Sequence, residues 1–132
     1  MSQDHSIEWI PAYLGNFIYN NDMERDIRGI VIHDLEGSLA AGVSWFANPA
    51  SDVSAHYLVA KDGHIVQMVS DNDIAFHATG TATMLPPWLT AGKNPYYCSR
   101  PNAFTLGIEA ELLATDPDGA YTDAQLDALR WL

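Results

Sequence analysis

The glutamate at position 109 carries the strongest signal for acid–base chemistry. It lies in the run of residues 106–111, where strand alternation places Gly107, Glu109 and Glu111 on one face. A carboxylate among apolar neighbours is costly to bury unless it is paired or functional, and burial raises its pKa towards neutrality. A general base that acts on metal-bound water needs such a pKa. The alternative is a solvated face of an edge strand.

His33 is the second candidate. It ends a β-branched run, residues 27–33, that is typical of a buried central strand, and the polar residues Asp34, Glu36 and Gly37 follow it. Open α/β sheets place their sites at the carboxyl ends of strands, so this imidazole can face a cleft. If the ring instead hydrogen-bonds a nearby backbone carbonyl, it is a structural histidine.

The other four histidines are less distinctive. His56 shares a strand face with Leu58, and it is either a packed side chain or a group that supports the site. His77 precedes a long loop and either lines a groove beneath that loop or packs. His64 follows an Asp-Gly turn and is expected in solvent, whereas His5 is expected in a frayed N-terminus.

Familiar catalytic motifs are absent from the sequence. It has no HExxH metal motif, no CxxC pair, no glycine-rich phosphate loop and no G-x-S-x-G nucleophile elbow. Cys98, the single cysteine, lies beside Tyr96, Tyr97 and Arg100 and has no evident partner for nucleophilic catalysis. A single cysteine also excludes an internal disulfide scaffold.

Local patterns predict the elements that must position these residues. Five β-branched or alternating segments predict strands, over residues 27–33, 53–60, 64–69, 74–77 and 104–112. Helices are expected over residues 38–47 and after the capping box of Thr122 and Gln125. Asp62 and Gly63 predict a tight hairpin turn. Residues 1–26 are predicted to form an irregular N-terminal arm packed by its aromatic side chains, ahead of a domain at 27–132.

Length and charge narrow the class of protein. The 132 residues suffice for one domain, and 48% hydrophobic with 17% charged residues indicates a folded chain rather than a disordered one. Six basic against 17 acidic residues give a formal net charge of −11. That charge argues against nucleic acid and against an anionic membrane surface as partners.

Six short motifs follow one another along residues 27–132. They are GIVIH at 29–33, NPASDVSAHYLV at 48–59, DGHIVQ at 62–67, IAFHA at 74–78, LGIEAE at 106–111 and YTDAQ at 121–125. In content and order they resemble type 2 N-acetylmuramoyl-L-alanine amidases. The helix that carries EGSL and WF most resembles versions in actinobacterial and phage cell-wall lytic enzymes.

The resemblance implies a fold and a reaction. The family has an α/β fold, a central mixed β-sheet flanked by helices, which it shares with peptidoglycan recognition proteins. Its members hydrolyse the amide bond between N-acetylmuramic acid and L-alanine of peptidoglycan, with a zinc ion (Zn²⁺) that polarises the carbonyl and activates water. The implied partner is therefore peptidoglycan or a muropeptide.

The resemblance also implies roles for particular residues. His33 corresponds to a zinc ligand, and Glu109 to the general base of the AmpD-type branch. His77 corresponds to a substrate-groove residue, and His56 to a neighbouring residue that supports substrate binding. Trp88, in the loop at 79–103, is expected to wall the sugar-binding side. Some phage amidases have a catalytic tyrosine where Ala55 stands, so the glutamate-based mechanism is favoured.

The family's two remaining zinc ligands and an oxyanion-stabilising lysine follow the YTDAQ helix, beyond Leu132. The sequence is therefore expected to be the N-terminal portion of an amidase domain. The alternative is an inactive module that binds peptidoglycan fragments. No signal peptide is recognisable, so we expect cytoplasmic synthesis and action on the cell wall after phage release or export by another route.

Overall fold

The computed structural model describes residues 5–21, 24–79, 87–90, 100–116 and 119–132. Five strands form the main sheet in the order β1-β5-β4-β7-β3. They are β1 (Ile7–Trp9), β3 (Gly29–Asp34), β4 (Tyr57–Val59), β5 (Ile65–Gln67) and β7 (Thr105–Ala110). Among the described strands of this sheet only the β4–β5 pair is antiparallel, so the sheet is mixed. A small antiparallel pair joins β2 (Phe17–Ile18) to β6 (Ile74–Ala75).

The described helices are α1 (Leu39–Phe46), the short α2 (Pro87–Thr90) and α3 (Asp123–Trp131), and 3-10 turns lie at Leu14–Asn16 and Pro101–Phe104. Of these, α1 and α3 lie on opposite faces of the main sheet. Along β4, Leu58 packs in a core with Phe46 of α1, whereas Tyr57 and Val59 pack in a second core with Ala128 of α3. Strand alternation thus gives β4 one core on each face.

Local signals set the helix starts and the hairpin turn as predicted. The Ser38 hydroxyl accepts a hydrogen bond from the Ala41 N–H, and Thr122 and Gln125 form the reciprocal capping box. In the β4–β5 turn Gly63 has a φ of 87°. A Cβ there would also lie 2.9 Å from the carbonyl oxygen of Ala124, so the turn needs glycine on two grounds.

The prediction that residues 27–33 form a buried central strand is wrong. Within the described part of the chain β3 pairs with β7 alone, and Ile30 and Ile32 are 52% and 48% exposed. The central position belongs to β7, which lies between β4 and β3. The apolar residues on both faces of β3 suggested two covered faces, but burial alternates along the strand.

The N-terminal segment is more regular than predicted. β1 extends the main sheet beside β5, and the Asn16 side chain donates to the carbonyl oxygen of Phe46 at 2.8 Å. Trp9 and Tyr19 are 55% and 57% exposed and do not pack the segment, whereas Phe17 packs against the core that contains Phe46 and Leu58. The expectation of a frayed His5 is also wrong. Its Nε2 lies 3.1 Å from Asp127 Oδ2 and its ring lies against Trp131 of α3.

Candidate active site

His33 and Glu109 lie side by side near the carboxyl ends of two parallel strands. They are register partners in the β3–β7 pair, and Leu58 of β4 is the partner of Glu109 on the other side. Paired residues of neighbouring strands project from the same face, so the imidazole and the carboxylate share the face that α1 covers. Both side chains are half-buried. The strands thus bring together the two residues that the sequence singled out.

The environment of Glu109 suits a general base. Burial, together with the negative charges of Asp34 and Glu36, raises the pKa of Glu109 to about 7. A carboxylate with that pKa exchanges protons readily near neutral pH. The sequence-based expectation of a raised pKa is confirmed, whereas the alternative of a fully solvated face does not hold.

His77 joins the ring of His33 to β7. Its Nδ1 lies 3.1 Å from His33 Nε2, and its Nε2 lies 3.1 Å from Thr105 Oγ1. Burial, together with the neighbouring His56 and His33, lowers the pKa of His77 to about 3. Both nitrogens of His77 are therefore engaged with protein atoms in a neutral ring, so it offers a substrate no free ring nitrogen.

His77 can occupy this position because Gly107 has no side chain. A Cβ on Gly107 would lie 2.2 Å from His77 Cγ, far inside van der Waals contact. The backbone around His77 is fixed as well, since Asn102 Oδ1 accepts from the N–H groups of His77 and Ala78, at 3.3 and 2.9 Å. The strand face that carries Glu109 therefore has a flat histidine ring packed on it.

His56 is a fully buried structural histidine. Its Nδ1 accepts from the Gly107 N–H at 3.0 Å, so its Nε2 carries the proton and donates to the carbonyl oxygen of Asp73, also at 3.0 Å. Burial lowers the pKa of His56 to about 4, which keeps the ring neutral. No ring atom is left for a substrate, and the contribution of His56 is to fix β7 beneath His77.

Sequence reasoning missed several polar partners of these side chains. The hydroxyl of Tyr121 donates to Asp34 Oδ1, and burial followed by that contact raises the pKa of Tyr121 to about 12. Asp34 follows His33 directly, which was a usable signal. Tyr121, Thr105 and Asn102 come from distant segments, and nothing in their local sequence shows which histidine or carboxylate they meet.

A cavity of about 480 Å³ adjoins the carboxyl ends of β3 and β7. Two acidic and three apolar residues line it: Asp34, Glu36, Leu112, Leu113 and Ala114. This is where an open α/β sheet places its ligands.

Trp88 lies on α2 with 68% of its surface exposed. Most of the predicted loop at 79–103, including Cys98, lies outside the described residues.

A catalytic zinc ion takes three protein ligands and keeps one open position. Among the described residues, no three His, Cys, Asp or Glu side chains are grouped to hold a metal ion. His33 is half-buried, with its Nδ1 directed to no described partner. The described residues therefore fit one ligand position rather than a complete zinc site.

None of the described helices is long and apolar enough to cross a membrane.

Comparisons with known proteins show which family the chain resembles. The sequence model of a family described as N-acetylmuramoyl-L-alanine amidase matches residues 23–132. The chain is 35% identical over 121 residues to N-acetylmuramoyl-L-alanine amidase A of Achromobacter lyticus. That match covers 91% of this chain but 55% of the relative, so the chain spans about half the relative's length.

Solved structures share the architecture. A crystal structure of AmpD superposes with a TM-score of 0.63 at 27% identity, over 93% of this chain and 69% of that one. AmpDH3 of Pseudomonas aeruginosa, in complex with anhydromuramic pentapeptide, gives a TM-score of 0.57 at 25% identity, over 86% and 46%. The predicted α/β fold with a mixed central sheet flanked by helices is confirmed.

Proposed function

Because the chain belongs to the N-acetylmuramoyl-L-alanine amidase family, we propose that the protein hydrolyses the amide bond between N-acetylmuramic acid and L-alanine of peptidoglycan. The observation that carries the proposal is the placement of Glu109. Its carboxyl group has a pKa of about 7 and is the register partner of His33 near the carboxyl ends of β7 and β3.

Glu109 supplies the proton transfers that amide hydrolysis needs. Its carboxylate takes a proton from the attacking water as the water oxygen bonds to the lactyl carbonyl carbon. When the carbon–nitrogen bond breaks, the same group gives a proton to the departing amine of L-alanine. A group with a pKa near the working pH can perform both transfers, because neither protonation state is strongly favoured.

We propose zinc as the cofactor, with His33 as one ligand. A bound zinc ion polarises a carbonyl and lowers the pKa of water. Since the described residues fit one ligand position, the proposal commits to His33 alone and assigns no reaction step to the metal. What supports it is the family match together with an imidazole whose Nδ1 has no described partner.

The proposed substrate is a muropeptide. AmpDH3 is described as a complex with anhydromuramic pentapeptide, which contains the sugar and peptide parts that flank the scissile amide. The proposed place for that amide is beside Glu109 and His33, near the carboxyl ends of β7 and β3. Trp88 remains a candidate for contact with the sugar, because a Trp ring face suits a sugar ring and this side chain is exposed.

The experiment is incubation of the protein with an N-acetylmuramoyl tripeptide and zinc, followed by mass spectrometry. We expect free tripeptide and N-acetylmuramic acid, with release slowed by at least about 10²-fold in Glu109→Gln. Glu8→Gln is the matched control, since Glu8 is an exposed carboxylate on the edge strand β1. Binding of the muropeptide without any release would contradict the proposal and would favour a peptidoglycan-binding module.

A further inference from the structure

We propose that His77 is a positioning residue that holds His33 as the tautomer with its proton on Nε2, so that Nδ1 is the bare nitrogen facing the site. The direction of the hydrogen bond between the two rings follows from geometry. The consequence, that His33 offers Nδ1 to a metal ion, rests on the proposed function. The residues that carry the inference come from three separate segments of the chain, β3, the segment after β6, and β7.

The hydroxyl of Thr105 has one hydrogen, and the direction of that hydrogen sets the tautomer of His77. Thr105 Oγ1 lies 2.8 Å from the carbonyl oxygen of Pro101, which can only accept, so the hydroxyl hydrogen points there. Toward His77 the same oxygen must then act as acceptor. Its distance to His77 Nε2 is 3.1 Å, so the proton of that ring lies on Nε2.

The tautomer of His77 in turn determines the tautomer of His33. A neutral imidazole carries one N–H and one bare nitrogen, so with its proton on Nε2, His77 has its lone pair on Nδ1. That atom lies 3.1 Å from His33 Nε2, which therefore carries a proton and donates it. The bare nitrogen of a neutral His33 is then Nδ1. A metal-binding histidine characteristically donates its other ring N–H to a fixed acceptor.

The hydrogen-bonded row of His33, His77 and Thr105 is fixed in place by two neighbouring residues. The missing side chain of Gly107 leaves room for the His77 ring, and Asn102 binds the backbone on both sides of the His77 α-carbon. In the opposite arrangement Thr105 would donate to His77, and the Pro101 carbonyl would lose the hydroxyl hydrogen. The shorter contact from Thr105 to Pro101 favours the direction proposed here.

Nuclear magnetic resonance of the nitrogen-15-labelled protein tests the hydrogen bond directly. Scalar coupling between two nitrogens across a hydrogen bond identifies the pair, and the one-bond coupling of the shared proton identifies the donor. We expect coupling between His33 Nε2 and His77 Nδ1, with the proton on His33. A proton on His77 Nδ1, or the absence of coupling in the folded protein, would overturn the proposal.

Two variants separate positioning from a purely structural role. His77→Ala removes the acceptor, so the nitrogen spectrum of His33 should change from one tautomer to a mixture of two. In His77→Asn the side-chain amide oxygen can lie near the position of the lost Nδ1 and accept the same hydrogen bond. This variant should therefore restore a single tautomer of His33. A single unchanged His33 tautomer in folded His77→Ala would refute positioning. These spectra need no substrate, so they stand or fall independently of amidase activity.

Discussion

Glu109 and His33 are directly paired across the β7–β3 ladder, and Asp34 follows His33 at the end of β3. The pairing has an electrostatic consequence. The carboxyl group of Glu109 is desolvated by its position within the sheet and also lies in the field of Asp34 and Glu36. Burial and the acidic residues at the carboxyl end of β3 thus together raise the pKa of the group best placed to move a proton.

Replacement of Glu109 by Gln should abolish most of the amidase activity. The amide has nearly the shape of the carboxylate but cannot accept the proton of water, so the rate should fall by about 10²- to 10⁴-fold, the usual contribution of a general base. Release of peptide from a muropeptide measures this. Glu8→Gln should retain the full rate, and equal losses in the two variants would argue against a specific role for Glu109.

Replacement of Asp34 by Asn should shift the acidic limb of the pH–rate profile to lower pH. Asp34 is the first charge that raises the pKa of Glu109, after burial, and the base must be ionised to accept a proton. Removal of that negative charge therefore allows Glu109 to ionise at lower pH. The profile of kcat/KM measures the shift. If the acidic limb does not move, it reports the ionisation of a group other than Glu109.

The stability of the protein should depend on pH through Glu109. Folding raises the pKa of this carboxyl group from 4.5 to about 7, so its protonated form favours the folded state. The contribution is complete below about pH 4.5 and is lost as pH rises through 7. For a partly exposed group it is on the order of 1 kcal/mol. Urea unfolding should show a smaller loss over this range for Glu109→Gln than for the unmodified protein.

Replacement of Gly107 by Ala should displace His77 and destabilise the fold. A Cβ at this position would lie 2.2 Å from the ring, and the cost of forcing such a contact is about 1–3 kcal/mol. Gly37→Ala is a matched control because its Cβ would meet only Ala41, at 3.9 Å. Thermal or urea unfolding compares the two. Equal stability would mean that the His77 ring is free to move away.

Replacement of Trp88 by Ala should weaken binding of a muramyl peptide. The ring is 68% exposed on α2, so its removal leaves no cavity and folding should be unaffected. Trp9→Ala is the control, because Trp9 is 55% exposed and lies on the opposite edge strand from β3. Titration calorimetry measures both affinities. Unchanged affinity in Trp88→Ala would remove this residue from the substrate groove.

Local features of the fold were predictable, and tertiary ones were less so. The hairpin at Asp62-Gly63 and the caps at Ser38 and Thr122 depend on neighbouring residues, and they form as expected. The edge position of β3 depends on which strand lies beside it. Strand composition indicates only that its residues suit a sheet. The apolar Ile30 and Ile32 therefore led to the wrong prediction of a buried central strand.

In the candidate site, too, residue types were predictable from the sequence, whereas contacts between distant residues were not. The type and strand placement of His33 and Glu109 indicated chemistry before the structure was known. The ring contact between His33 and His77, and that of His77 with Thr105, join residues 44 and 28 positions apart. Such contacts depend on strand order and on the space above Gly107, and no sequence spacing reports them. His56 was ambiguous for the same reason, since only its neighbours reveal that both nitrogens are used.

The most direct test of the central claim is hydrolysis of an N-acetylmuramoyl tripeptide in water labelled with heavy oxygen, read by mass spectrometry of both products. Cleavage of the proposed amide places one heavy oxygen in the lactyl carboxylate of N-acetylmuramic acid and leaves an unlabelled peptide with a free L-alanine amine. We predict that pattern, with its loss in Glu109→Gln. Heavy oxygen in the peptide, or no cleavage by the zinc-supplemented protein, would contradict the assignment of amidase activity.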